Sequence, residues 1–322
     1  MERAAHAMVH KPFPHALSLP LIAAPMFLIS GPALVLAACR EGIIGAFPTP
    51  NCRTTEALQQ WLQEISSGYA ALQREAGGRP VGPWAATVVT HRTNERCEAD
   101  LALVAEYRAP IVITALGSPR RAVDIVHGYG GLVFADVNSL ALAHKAADCG
   151  VDGLILVSSG AGGHTGAMAG FSFVPQVRKW WDGYIVYAGG VCDGAGIRAA
   201  EVLGADLCYM GTMFVATQES QAQAEYKEML TQCGPDDLVV TKAFTGANAS
   251  MLRPTIIAAG LDPDNLQPRK EMEFRGQNSN QQPWKGIWSA GQGVGCVDRV
   301  KPVAALADEL RQQYARARAR HG

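Results

Sequence analysis

One unit recurs along most of this chain: a short aliphatic run, a turn rich in Gly, Ser, Asn or Thr, then an Ala- and Leu-rich stretch with helical spacing. Candidate strands fall at Leu21 to Ala24, Ile43 to Ala46, Ala85 to Val89, Ile111 to Thr114, Leu132 to Asp136, Gly153 to Val157, Tyr184 to Ala188 and Leu207 to Met210. Their runs are nearly continuous in apolar character, as parallel strands covered on both faces require. Eight evenly spaced βα units predict an α/β fold of the (β/α)8 TIM-barrel type. The rival is an open doubly wound sheet, but the turn after the first run, APMFLISGP, carries no GxGxxG fingerprint and the even spacing favours closure. Helix starts are marked by Gly31-Pro32, by Asn51 through Thr55, and by Ser118-Pro119, two of them with Pro near the first turn.

The chain has 322 residues, against roughly 250 for a bare barrel, so an addition is expected. The βα rhythm stops after the eighth run. We therefore expect a barrel over 1–219, an inserted, mostly helical lid or substrate subdomain over 220–290 that includes the polar stretch DPDNLQPRKEMEFRGQNSNQQPW, and a returning segment over 291–322. Val303, Leu306, Leu310 and Tyr314 stand at helical spacing in that last segment, predicting an amphipathic helix packed on the barrel.

With 48% apolar and 18% charged residues the chain has material for a large core, which excludes a disordered protein. Its net charge of -1 gives no sign of a nucleic-acid or anionic-membrane partner, so a small molecule is the expected partner. The eight Cys form no CxxC pair or Cys/His cluster, so they are read as reduced thiols and no metal is expected. The start, MERAAHAMVHKPFPHALSLPLIAAPM, is broken by His10, Pro12, Pro14 and His15, unlike a signal segment, and no apolar run reaches the roughly 18 residues of a bilayer span. A cytoplasmic location is the expectation, and a homodimer is compatible with the sequence.

Three loops carry the candidate chemistry. Tyr187-Ala188-Gly189-Gly190-Val191 with Asp193-Gly194, and Tyr209-Met210-Gly211-Thr212, end the seventh and eighth strands, where barrels build phosphate sites from glycine turns, backbone N–H groups and a hydroxyl. Tight turns alone would also explain either pair of glycines, but less readily both. The loop after the sixth strand, SSGAGGHTGAMAGFSF, puts His164 beside Gly162 and Gly163 above the barrel mouth, and imidazole titrates near neutrality. A solvated or core histidine is the bland alternative. His91, after the third strand, could face the same mouth. Ala24-Pro25-Met26 ends the first strand, where Met26 can pack beside a planar ring or merely fill the core.

Taken in order, APM, AGGH, AGGVCDGAGIRAAEVLGAD and YMGTMFVATQES resemble the nitronate monooxygenases, formerly called 2-nitropropane dioxygenases. The resemblance runs from about Leu21 to Ser220, and KGIWSAGQ at 285–292 is similar to a segment of some members and of related flavin-dependent quinone reductases. It implies non-covalent flavin mononucleotide (FMN), its phosphate on Gly189, Gly190, Gly211 and Thr212 beside Met210, and its ring near Ala24, Pro25, Met26, Gly162 and Gly163. It also implies His164 at the substrate, oxidation of alkyl nitronates or nitroalkanes with dioxygen, and a carbonyl product with nitrite. The chain departs from many members at Thr87, where they have Asn, at Asp136, where some have Lys, and at Gly160, where an acid is frequent. Thr87 and Asp136 are then expected to face the flavin. A second reading keeps FMN but takes electrons from NAD(P)H and gives them to a quinone or enoyl thioester; a third is a non-catalytic flavin-binding barrel.

Overall fold

The structure, a computed structural model, describes residues 12–269 and 286–321. The amino-terminal residues read above as unlike a signal segment, and much of the polar stretch of the insertion, lie outside the described residues. In chain order the strands are β1 (Leu21–Ala23), β2 (Ile44–Pro48), β3 (Trp84–Val89), β4 (Ile111–Ala115), β5 (Leu132–Val137), β6 (Gly153–Val157), β7 (Gly163–His164), β8 (Tyr184–Ala188), β9 (Leu207–Met210), β10 (Leu238–Thr241) and β11 (Ala249–Leu252). The helices are α1 (Pro32–Arg40), α2 (Thr55–Glu75), α3 (Cys97–Glu106), α4 (Arg120–His127), α5 (Leu140–Ala147), α6 (Gly170–Arg178), α7 (Gly194–Leu203), α8 (Thr212–Val215), α9 (Ala224–Gln232), α10 (Arg253–Ala258) and α11 (Val303–His321).

Eight parallel strands close in the order β1-β2-β3-β4-β5-β6-β8-β9, with Ile22 opposite Tyr209 at the seam, so the expected barrel is the fold. All eight runs expected from the sequence are its strands. Alternate residues serve two cores. Ile22, Ile44, Ala85, Ile111, Phe134, Ile155, Val186 and Leu207 fill the interior, while Ala23, Phe47, Ala86, Val112, Val133, Leu154, Ile185 and Cys208 meet the helices. Residues of the 12–18 segment stopper the amino end: Phe13 sits edge-on to Tyr184 with ring centroids 5.5 Å apart, and Tyr184 OH donates to the Pro12 carbonyl at 3.0 Å.

The marked helix starts hold. Pro32 opens α1, Thr54 caps α2 by accepting the Ala57 N–H at 3.2 Å, and α4 follows Pro119. Helix α11 buries Val303, Leu306 and Leu310, and Tyr314 OH donates to Glu201 of α7 at 2.8 Å. The 220–269 region contains the expected helices, α9 and α10, but also the hairpin-like pair β10 and β11, which the sequence reading did not anticipate. Four-residue runs such as ASML carry too little periodicity to separate strand from helix. Their partner is β7 of the His164 loop, giving a second sheet in the order β10-β11-β7. Among the described residues no helix is long and apolar enough to cross a membrane.

A clasp near the amino ends of β8 and β9 holds the last staves. Arg178, 8% exposed, pairs with Asp206 at 2.6 Å and donates to the carbonyls of Trp181, Gly183 and Gly204, while Asp206 accepts the Ile185 N–H at 2.7 Å. Removing Arg178 takes the main cation from the half-buried Asp206 and frees the three carbonyls the guanidinium holds. Arg178→Ala is expected to lower unfolding free energy by about 3–5 kcal/mol in urea titrations, and the Arg178→Ala/Asp206→Ala pair by less than the sum of the single losses.

Candidate active site at the barrel mouth

The interior alternation continues to the carboxyl end, where Thr87 stands two residues past Ala85, Asp136 two past Phe134 and Tyr209 two past Leu207. Three strands thus aim polar groups into the top of an otherwise apolar barrel. Thr87 Oγ1, Asp136 Oδ1 and Tyr209 OH are buried and have no hydrogen-bond partner. Leaving such atoms unpaired costs about 1–3 kcal/mol each, so the floor offers hydrogen-bonding capacity that the chain itself does not use. Burial lifts the Asp136 carboxyl to about 7, so at neutral pH a large share of it is protonated. Burial, with the nearby Asp136 charge, raises the Tyr209 phenol far above its usual value, keeping it a donor; Thr87 opposes the rise without making a well-formed bond.

The rim on one side is glycine. Gly190 takes φ +71° and a Cβ there would project into open space, while at Gly189, φ +145°, it would lie 2.9 Å from the Ser159 carbonyl oxygen. Across the seam, Ala24 N–H donates to the Met210 carbonyl at 2.9 Å, and a Cβ on Gly211 would meet Met26 Sδ at 3.6 Å and Ala24 Cβ at 3.7 Å. Ala24, Pro25, Met26, Gly211 and Thr212 are therefore one patch. Met210 joins it through backbone only, because its side chain belongs to the helix-facing core. Two donors at the start of α7 are already used: Gly194 N–H on Gln313 at 2.9 Å and Gly196 N–H on Asp193 at 2.6 Å. The glycine turns, more than that helix end, are left to cradle an anion.

The adjoining wall, on the neighbouring strand β6, is the 158–166 loop. Thr165 Oγ1 donates back to the Ser158 carbonyl at 3.1 Å, Ser159 N–H to Met168 at 2.8 Å, and β7 pairs with β11, His164 opposite Ala249 and Gly163 opposite Ser250. Gly162 lets the returning chain approach: a Cβ there would lie 2.6 Å from Gly291 N. Gly291 N–H donates to Thr212 Oγ1 at 2.9 Å and Gln292 N–H to the Gly160 carbonyl at 2.9 Å, so the 288–292 segment bridges the His164 loop and the glycine rim. Trp288 stacks on Tyr226 at 4.8 Å, and Tyr226 OH donates to the Ser289 carbonyl. His164 is accessible at the mouth yet surrounded by protein, and this partial desolvation lowers its pKa from the ordinary histidine value. Its imidazole is neutral at pH 7 and able to accept a proton.

Sequence reasoning gave four residues no place in the site, two of them, Trp288 and Gln292, in the KGIWSAGQ segment it had noted. Tyr209 was readable, since period-two alternation places it on the face of Leu207. Asn51 holds the Met26–Ser30 turn by donating to the carbonyls of Met26 at 3.1 Å and Ser30 at 2.8 Å, and had been read only as a helix-start signal. Trp288 and Gln292 come from a distant segment that only the fold brings near. His91 is paired with Thr93 at 2.9 Å and belongs to a separate cleft with Asn94, Ser118 and Arg120.

A closed βα barrel with a histidine loop beside paired glycine turns at its carboxyl mouth defines the class: a (β/α)8 protein of the small-molecule enzyme type. The chain belongs to the nitronate monooxygenase family, whose family model matches residues 80–313. A protein of Mycobacterium tuberculosis described as a monooxygenase is 27% identical over 63% of this chain and 59% of its own length, so the chain spans less than two thirds of that relative. The nitronate monooxygenase of Neurospora crassa is 26% identical over 94% of this chain and 90% of its own. Among solved structures, the nitroalkane oxidase of Streptomyces ansochromogenes superposes with a TM-score of 0.78 at 22% identity, covering 95% of this chain and 99% of that one.

The floor makes stability depend on pH. Asp136 binds its proton more tightly folded, at about 7, than unfolded, near the ordinary carboxylate value of 3.8. Between those values the native state holds the extra proton, so this group's contribution falls as pH rises and is fully lost above the folded value. Asp136→Asn should therefore gain stability relative to the parent protein as pH rises from 5 to 8 in paired denaturant titrations; a pH-independent difference would show the carboxyl to be ionised throughout.

Proposed function

We propose that this protein is an FMN-dependent oxidoreductase that oxidises small nitroalkanes or their nitronates with dioxygen, giving a carbonyl compound and nitrite. The observation that carries this reading is the meeting, at one barrel end, of two glycine turns, an unpaired polar floor and His164. These residues suit the cofactor. Gly189, Gly190, Gly211 and Thr212 would hold its phosphate, Ala24, Pro25, Met26, Gly162 and Gly163 would border its ring, and the unpartnered atoms of Thr87, Asp136 and Tyr209 would gain the hydrogen bonds they lack. When bound, FMN supplies the electron transfer from substrate to dioxygen.

The protein's part is placement and proton handling. The neutral His164 imidazole takes the α-proton of a nitroalkane; with a preformed nitronate it serves as a hydrogen-bonding partner of the anion. Its lowered pKa keeps it a base at pH values where an ordinary histidine would already be half protonated. Asp136 in its neutral form offers an O–H instead of a repelling charge, which suits an anionic substrate at the mouth. The 288–292 segment closes the wall behind Gly160 and Gly162 and limits water at that side.

His164→Asn should lower kcat/KM for a nitroalkane by about 10²- to 10⁴-fold while the purified protein keeps its flavin spectrum. On the acid side the parent enzyme's kcat/KM should begin to fall only below pH 6.5, and this acid limb should be absent in the variant. The redox partner is decided by anaerobic titration: a nitronate should bleach the flavin bands and NADPH should not. The reductase reading is favoured by the seating of the IWSAGQ segment on the His164 loop, and bleaching by NADPH alone would install it instead.

A further inference from the structure

Two cysteines 104 residues apart meet at the edge of this site: Cys296 Sγ lies 2.7 Å from Cys192 Sγ. That is within about 0.7 Å of a covalent S–S length. Cys192 sits two residues after Gly190, in the turn between β8 and α7, and is half-buried. Cys296 is exposed and ends the short 3-10 turn Gln292–Cys296. The two backbones are pressed together here, since a Cβ on Gly293 would fall 2.9 Å from Cys192 Cβ. Of the other six cysteines, Cys39, Cys52, Cys97 and Cys208 are buried.

We propose that Cys192 and Cys296 form a reversible disulfide, a modification site that takes peroxide as its oxidant and clamps the returning segment onto the glycine rim. The exposed Cys296 thiol reacts first: its sulfur displaces water from hydrogen peroxide and becomes a sulfenic acid. Cys192 sulfur then attacks Cys296 sulfur, losing its proton, and the sulfenic oxygen leaves as a second water. Two thiols are oxidised by two electrons and one peroxide is reduced to two waters. The buried surroundings of Cys192 and the adjacent Cys296 raise its thiol to about 12, which suits the resolving role over that of first nucleophile.

The bond would tie together covalently parts that are now joined by packing and hydrogen bonds. Gln292 already bonds Gly160, Gly291 bonds Thr212, and Cys192 follows the Gly189–Gly190 turn, so a covalent link at 192–296 fixes the rim and the wall of one mouth. Closing the mouth in this way slows exchange of whatever the glycine turns hold. That consequence rests on the FMN reading above, whereas formation of the bond does not.

The test uses the full chain, fully reduced and then exposed to hydrogen peroxide, with free thiols alkylated and the digest mapped by mass spectrometry without reductant. One cross-linked peptide pair joining Cys192 to Cys296 is expected, absent before oxidation, reversed by dithiothreitol, and lost in Cys192→Ser and in Cys296→Ser. Recovery of both cysteines in separate alkylated or over-oxidised peptides, or linked to other cysteines, overturns the proposal. In protein shown by the map to be cross-linked, FMN release into dilute buffer should be several-fold slower than in the reduced form. An unchanged release rate with the cross-link present overturns the clamp, and a chain that binds no FMN at all instead overturns the cofactor reading, leaving the peptide map to decide the bond.

Discussion

Barrel closure through the parallel pairing of β1 with β9 is the constraint from which the site follows. The two strands that begin and end the βα series share the register Leu21 to Cys208, Ile22 to Tyr209 and Ala23 to Met210. That register, and no sequence proximity, sets Ala24 and Met26 against Gly211. Closure leaves no sheet edge to solvent and commits every strand to two buried faces. One face must then fill a fixed interior volume, and only the topmost layer is free to depart from aliphatic packing.

The barrel uses that freedom in a single layer. Below it the interior is Ile, Ala, Phe, Val and Leu; at it, Thr87, Asp136 and Tyr209 leave buried atoms unsatisfied. Departures of this kind from a fully satisfied core concentrate at functional sites. The same layer also explains why electrostatics at the mouth differ from the bare count of charges: an acid protonated in large part at neutral pH and a phenol held firmly as a donor present hydrogens where a count would place a full negative charge.

Much of this was legible in the chain because βα repetition has a strong local signature. The strands were found nearly to the residue, since Val, Ile and Leu runs between turn residues admit few other structures. Met210 shows the limit of motif reading: the YMGT motif suggested a contact, but strand alternation turns its side chain to the helices and Tyr209 to the interior. The strands β10 and β11 were hidden for another reason. Their sheet is completed by β7, and such a partner, 87 residues earlier at Ser250 to Gly163, leaves no trace in local periodicity. Gly291 and Gln292 stood in the KGIWSAGQ segment noted in the sequence, but their contacts with Thr212 and Gly160 leave no trace in local periodicity.

The pairing of β7 with β11 ties the inserted region to the chemistry. His164 is not carried by a free loop; it is a strand residue whose facing is dictated by register against Ala249. A slip by one residue would turn the imidazole to the other side of the sheet. The 220–269 region and the His164 loop therefore do not behave as independent modules: any graft that shifts the β11 register re-aims the imidazole, so the two segments are mechanically one unit.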